Sequence, residues 1–251
     1  MSRGKVADLA GSVGVGALMG FCVLTLFLLG DGSPLPADHA LHAWSVAHRP
    51  GVAVALARAV TATGTGPVPY ALAVLAGVLA VRTTRHRLLA AGLAVCCLAS
   101  GQTVRYGMMT LVARARPPRA DWEVHASGWA FPSGHTTTAA LTAGLLILAV
   151  LLRSPHGRTL FAVAAGCWAV LVGLTRVYLG VHWFTDVIGG WLLSIGWLGM
   201  WLCVLAWSLP DRFLTRPAQA PAEPTATPAR EPDRDGGSGP GEVGPRPGRA
   251  E

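Results

Sequence analysis

Two histidines, one aspartate and a small group of arginines in this 251-residue chain stand where packing alone would not put them. His182 and Asp186 are four residues apart at the start of a long apolar run, so they share a helix face if a helix has begun by His182. A carboxylate in that position would fix the imidazole tautomer and leave the opposite ring nitrogen nucleophilic. The plainer alternative is a structural His–Asp hydrogen bond. An aspartate in an apolar segment is costly unless paired, which makes Asp186 a functional candidate by default. Arg176 precedes His182 by six residues, at the end of another apolar run.

Two further stretches carry the same character. Phe131-Pro132-Ser133-Gly134-His135 stands where an apolar helix begins. Helix N-termini offer unpaired amides and a positive dipole end, so Ser133, Gly134 and His135 could present N–H groups to an anion; Ser133 could equally serve only as an N-cap. A histidine in that first turn could also donate a proton to a leaving oxygen near neutral pH. Arg114-Ala115-Arg116-Pro117-Pro118-Arg119 closes the preceding apolar run, and several guanidinium forks at a membrane boundary suit bidentate phosphate binding or anchoring to lipid headgroups.

The elements that must position these residues are membrane spans. The chain is 52% hydrophobic and only 13% charged, too apolar for an ordinary soluble domain. A bilayer core of about 30 Å needs roughly 20 apolar residues per helix. Six runs qualify: Ala7 to Leu29, Pro67 to Val81 (short), Leu88 to Val112, Gly134 to Leu152, Leu160 to Leu179 and Trp183 to Trp207. Gly51 to Thr65 is moderately apolar and reads either as an interfacial helix or as an extension of the second run. The first run follows Arg3 and Lys5 but is long and lacks a small-residue cleavage site, so it reads as a retained span. Gly16 and Gly20 have the small-xxx-small spacing that lets membrane helices approach.

Six spans put both termini on one side, which then carries Arg3, Lys5, Arg82, Arg85, Arg87, Arg153, Arg158, Arg212 and Arg216 against Arg49, Arg58, Arg114, Arg116, Arg119 and Arg176 opposite. The positive-inside rule makes the termini cytoplasmic and the chemistry extracytoplasmic, with Trp44, Trp122, Trp129 and Trp183 near the outer surface. Residues 1–208 form the membrane domain. Nine of the 18 prolines and seven of the 13 acidic residues lie between Pro210 and Glu251, so residues 209–251 read as a disordered, solvated tail. The body keeps an excess of basic residues, suited to an anionic lipid surface or substrate. Its arginines sit in short loops, without a basic helix or aromatic-spaced basic stripe, so no nucleic-acid partner is expected. The five cysteines fall inside apolar runs as small buried hydrophobes. His39, His42 and His48 in the first outer loop, His125 between the third and fourth spans, and His86 and His156 among the cytoplasmic arginines read as solvated.

Taken together, Arg116-Pro117, Pro132-Ser133-Gly134-His135 and Arg176-x5-His182-x3-Asp186 resemble the type 2 phosphatidate phosphatase and vanadium haloperoxidase superfamily, over roughly residues 88–207. The six-span layout resembles its membrane-bound phosphatase branch. The resemblance implies an all-α, polytopic helical bundle and an integral membrane phosphatase, acting without a metal or other cofactor on a lipid phosphate. Polyprenyl (undecaprenyl) pyrophosphate and phosphatidate-like lipids are the substrates it implies, in the plasma (inner) membrane. It gives His182 the role of nucleophile forming a phosphohistidine, Asp186 that of orienting it, and His135 that of general acid. Arg116, Arg176 and the amides near Ser133 and Gly134 would neutralise the phosphoryl oxygens. The family usually places a lysine seven residues before the arginine of the Arg-Pro pair, and here that position is Met109. Arg105, one turn earlier on the same face, or Arg114 would then have to substitute in part. Thr175 replaces a common serine and keeps the hydroxyl. Three other readings share these residues: a non-catalytic lipid-phosphate binder or transporter, transfer to an acceptor other than water, and a vanadate haloperoxidase, which six apolar spans fit poorly.

Overall fold

The computed structural model describes residues 3–30, 32–153 and 157–208. Among these the chain is all-helical: α1 (Arg3–Gly30), α2 (Pro36–Ala47), α3 (Gly51–Ala62), α4 (Pro67–Ala80), α5 (Thr84–Val112), α6 (Gly134–Arg153), α7 (Arg158–Tyr178) and α8 (Phe184–Ser208), with one 3₁₀ turn at Arg119–Asp121. Five segments are long and apolar enough to cross a bilayer: Gly11–Gly30, Thr84–Val112, Gly134–Arg153, Arg158–Tyr178 and Phe184–Ser208. The expected tail, residues 209–251, and His156 lie outside the described residues.

The sixth expected span is built differently. α4 has 14 residues, about 21 Å of helix at 1.5 Å per residue, which is short of the hydrocarbon thickness. It joins α3 across a 50° bend, and only the two together pass as a span. The break is local chemistry. Gly66 adopts φ 67°, open chiefly to glycine, and Pro67 follows as the first helical residue, where its missing N–H costs nothing. The Gly51–Thr65 stretch is therefore a helix of its own, Gly51–Ala62, bent against α4.

α2 replaces the loop expected around His39, His42 and His48. Pro36 sits in its first turn, and the Asp38 carboxylate accepts the Leu35 N–H at 3.1 Å, capping the helix start. His42 and Ser45 are buried on its inner face, so His42 is not solvated. Its Nε2 meets Asp121 Oδ2 at 3.0 Å, and Arg49 donates to the Asp121 carbonyl at 2.7 Å. These bonds tie the link between α5 and α6 to α2. Trp183 is also buried and donates to the Ala115 carbonyl, so it belongs to the protein interior and not to an outer aromatic belt.

α6 packs against α4, α5, α7 and α8, while α1 lies along α8. α1 makes that contact through Gly14 against Gly199, Leu18 against Gly196, Gly20 against Leu192 and Phe21 in a cluster with Leu193; Gly16, singled out by its spacing with Gly20, has no neighbouring atom within 4 Å of the Cβ it lacks. The approach of α6 to α8 depends on Gly190, where a Cβ would stand 3.0 Å from Thr136 Cβ and 3.2 Å from the Ser133 carbonyl. That absence of a side chain lets the first turn of α6 lie against the first turns of α8, which brings the two histidine motifs to one end of the bundle.

Candidate active site

α8 begins at Phe184, so His182 precedes the helix and the shared-face argument does not describe the contact. Asp186 is instead the third residue of the helix, and its carboxylate reaches back. Oδ2 accepts the Trp183 N–H at 2.8 Å, the carboxylate half of a capping box, and faces His182 Nδ1 at 3.4 Å. The positive end of α8 and the backbone N–H favour a carboxylate there. His182 and Asp186 are both buried.

Asp186 Oδ1 accepts Arg114 NH1 at 2.6 Å, and this arginine has no N–H to spare. Nε donates to the Gly32 carbonyl, NH1 also to Thr185 Oγ1, and NH2 to the Ser33 carbonyl and Asp38 Oδ2. Its side chain is 0% exposed, as are those of Asp38 and Asp186. Asp38 completes the lattice by accepting the Thr185 N–H at 2.8 Å and its hydroxyl at 2.7 Å. Arg114 is thus the counterion of two buried carboxylates and cannot turn to a substrate phosphate. This saturation corrects the expectation of Arg114 as a phosphate ligand. Ala113, left-handed at φ 47° with its N–H on the Met109 carbonyl, ends α5 just before Arg114.

Arg116 donates NH1 to His182 Nε2 at 2.9 Å. A guanidinium can only donate, so Nε2 presents its lone pair and the ring proton sits on Nδ1, toward Asp186. Burial, then the Arg116 and Arg176 charges, push the His182 imidazole well below its ordinary value, and it is neutral. The other Arg116 N–H groups go to the carbonyls of Ser127, Gly128, Trp129 and Val181, at 2.7–3.0 Å. Arg116 therefore pins the 127–129 segment to the residue before His182. The one N–H on His182 is open to exchange for a substrate oxygen.

The first turn of α6 forms the facing wall. Ser133 is fully buried and its amide donates to the Asp186 carbonyl at 3.0 Å, so it has no N–H for an anion. Gly134, His135 and Thr136 are the first helical residues, whose amides have no acceptor within the helix. His135 is half-buried, and the charged or titratable groups it feels are Arg176, His182, Arg116 and Arg105. Arg176 is 3% exposed. Its NH1 donates to Thr61 Oγ1 of α3 at 3.0 Å while its buried Nε has no partner.

The residues that match the PAP2 superfamily model are 88–210, which contain all of these groups except Asp38, Thr61 and the Gly32 and Ser33 carbonyls. This chain carries a PAP2 superfamily domain. Within the PAP2 domain and its N-terminal extension the helical arrangement is similar to the crystal structure of a transmembrane PAP2 type phosphatidylglycerolphosphate phosphatase from Bacillus subtilis. The TM-score is 0.66 at 27% identity, over 81% of this chain and 98% of that one. Among curated proteins, phosphatidylglycerophosphatase B of Bacillus subtilis (strain 168) is 43% identical over 88 residues, which are 34% of this chain and 42% of that protein. The undecaprenyl-diphosphatase of Sulfolobus acidocaldarius is 34% identical over 117 residues, 45% of this chain and 49% of that protein. The matched segments thus span less than half the length of these curated relatives.

The PAP2 domain brings His182, Asp186, His135, Gly134, Arg116, Arg176 and Arg105 to one place, while Arg114 and Ser133 support it from behind. Sequence reasoning missed Asp38 and Thr185, which hold the start of α8, and Thr61, which holds Arg176. Asp38 had a readable signal: Leu35-Pro36-Ala37-Asp38 is a proline in a first turn followed by an acid where it can cap. Thr61 had none, since its contact with Arg176 spans 115 residues.

Proposed function

We propose that this protein is an integral membrane lipid phosphatase that removes phosphate from a lipid phosphomonoester or diphosphate through a phosphohistidine on His182. The observation that carries the reading is the state of His182: buried and neutral, its Nδ1 toward Asp186 and its Nε2 lone pair against Arg116. A histidine kept only for packing needs no cation on its free nitrogen. A nucleophile aimed at a phosphoryl group gains from one, because the same guanidinium can pass to a phosphoryl oxygen as the substrate enters.

In the reaction, the phosphoryl group settles between the Gly134–Thr136 amides, Arg176 and Arg116. Nε2 attacks phosphorus in line with the lipid oxygen, and the P–O bond to the lipid breaks as N–P forms. His135 protonates the departing oxygen, then as a neutral base takes a proton from the water that cleaves the N–P bond. Asp186 keeps the Nδ1 proton in place and stabilises the imidazolium that forms on attack. Arg114 and Asp38 fix Asp186. These steps use the chain's own groups alone.

The charged head lies at the helix ends while the chain of the lipid stays in hydrocarbon, so neither part is fully extracted. By the arginine distribution the site faces the extracytoplasmic side and the termini the cytoplasm. Relatives named for phosphatidylglycerophosphate and undecaprenyl diphosphate put both lipid classes forward as substrates. The test is phosphate release from undecaprenyl diphosphate, phosphatidylglycerophosphate and phosphatidate in detergent micelles with EDTA, beside His182→Ala. Release that disappears in the variant supports the reading. No release of phosphate from any lipid by folded wild-type protein, together with retained phosphate binding, replaces it with a lipid-phosphate binder or transporter.

A further inference from the structure

Arg105 is a cation without a natural partner. It sits in α5, two turns from the helix end, where an arginine facing lipid would be expensive. The other arginines around the site each reach at least one oxygen acceptor: Arg114 reaches Asp38 and Asp186, Arg49 the Asp121 carbonyl, Arg58 Glu123, Arg116 backbone carbonyls and Arg176 Thr61 Oγ1. Arg105 has only a thioether and a ring. NH1 points to Met109 Sδ at 3.2 Å, the guanidinium carbon lies 5.5 Å from the Tyr106 ring centre, and Nε is buried with no acceptor. Sulfur is a weak acceptor, so among the described residues the guanidinium has no protein oxygen to neutralise it.

Its direction is defined by the opposite wall. A Cβ built on Gly134 would lie 3.5 Å from the guanidinium carbon and 3.5 Å from NH1. Arg105 therefore abuts the first amide of α6, in the cradle that faces His182, and it is among the charges that both His135 and His182 feel. Met109 Sδ, 3.2 Å from the guanidinium, marks the spot a longer cationic side chain at 109 would reach.

Resting on the phosphatase reading, we infer that Arg105 binds the phosphoryl oxygens of the substrate, doing from one turn earlier what a lysine at position 109 would do. Met109 is then a positioning residue: its thioether steers NH1 toward Gly134 without neutralising the charge, and Gly134, lacking a side chain, leaves the gap for an oxygen. The charge is thus supplied as a fork, able to engage two oxygens, where an ammonium would offer a point charge.

The experiment is a reciprocal exchange in full-length protein in detergent: Arg105→Ala, Met109→Lys and the double variant. It reads kcat/KM for lipid phosphate release, the inhibition constant for inorganic phosphate, and binding of inorganic phosphate by thermal shift. Arg105→Ala should lower kcat/KM by about 10²–10³-fold, the usual loss when one transition-state donor is removed, and weaken phosphate binding. Adding Met109→Lys to it should restore at least tenfold of that loss together with phosphate affinity, which repair of packing alone would not do. Arg105→Gln, which keeps the length and a donor for Met109, serves if the alanine variant does not fold. The proposal is overturned if Arg105→Ala or Arg105→Gln keeps wild-type phosphate affinity and activity within twofold, or if the double variant folds but recovers neither. The phosphate-binding arm needs no turnover: wild-type protein that binds phosphate through Arg105 but releases none from lipid sinks the phosphatase reading and leaves Arg105 as an anion ligand.

Discussion

Replacing Arg114 by methionine tests whether the site rests on a buried charge lattice. The guanidinium has five oxygen contacts within 3.4 Å, two of them on NH1, and two of its partners, Asp38 and Asp186, are completely buried carboxylates. In Arg114→Met the two carboxylates keep their backbone N–H donors but lose their shared cation. Removing one partner of a buried ion pair typically costs about 3–5 kcal/mol. At roughly 2–4 °C per kcal/mol for a chain of this size, thermal unfolding followed by tryptophan fluorescence in detergent should shift down by roughly 6–20 °C. Asp38→Asn should cost less, because Arg114 and Asp186 remain a neutral pair, and the double variant should fall short of the sum by about 0.5–3 kcal/mol, as residues in one network do. Arg114→Met with wild-type stability, or costs that simply add, would refute the lattice and return Arg114 to the candidates for phosphate binding.

The other predictions follow from the same geometry. His135→Ala should slow release from an alkyl phosphate by about 10²–10⁴-fold yet spare the burst of nitrophenol from p-nitrophenyl phosphate, whose leaving group needs no proton; equal losses in both would remove the general-acid role. Because folding depresses the His182 imidazole, the unfolded chain takes up a proton that the folded chain refuses. The melting temperature should therefore fall as pH drops below about 6.5, the ordinary histidine value, and His182→Asn should flatten that slope; an unchanged slope contradicts a buried neutral His182. Gly190→Ala places a methyl 3.0 Å from Thr136 Cβ, which should cost about 1–3 kcal/mol as overpacking does and lower kcat more than KM, measured beside Gly16→Ala, which meets nothing and should match the wild type.

The chemistry-bearing residues were legible because they violate the apolar pattern around them. His182, Asp186, His135 and Arg176 are polar groups at the ends of apolar runs, and a membrane charges heavily for such groups unless they are used. The five long spans were legible from length and hydropathy for the same reason. α2 was not, since twelve residues with two histidines and an aspartate carry a weak apolar stripe, and its helix is held by Asp38 reaching Thr185 across 147 positions. The role of Arg114 was misread from the arginine cluster: sequence shows how many guanidinium groups stand at a boundary, while their partners depend on where Ala113 turns the chain. The Asp186 contact was reached for the wrong reason, because a capping carboxylate reaches back by four residues without a helix at His182.

The central claim is covalent, and its most direct measurement is a rapid-quench trap. Wild-type protein is mixed with a lipid carrying radiolabelled terminal phosphate in EDTA, stopped in alkali and digested, and the labelled peptide is sequenced by mass spectrometry. The account predicts an acid-labile, alkali-stable phosphoryl group on His182 that rises and decays on the timescale of turnover and is absent in His182→Ala. Active enzyme that releases phosphate at the same rate with the label on another residue, or with His182→Ala fully active, would contradict it.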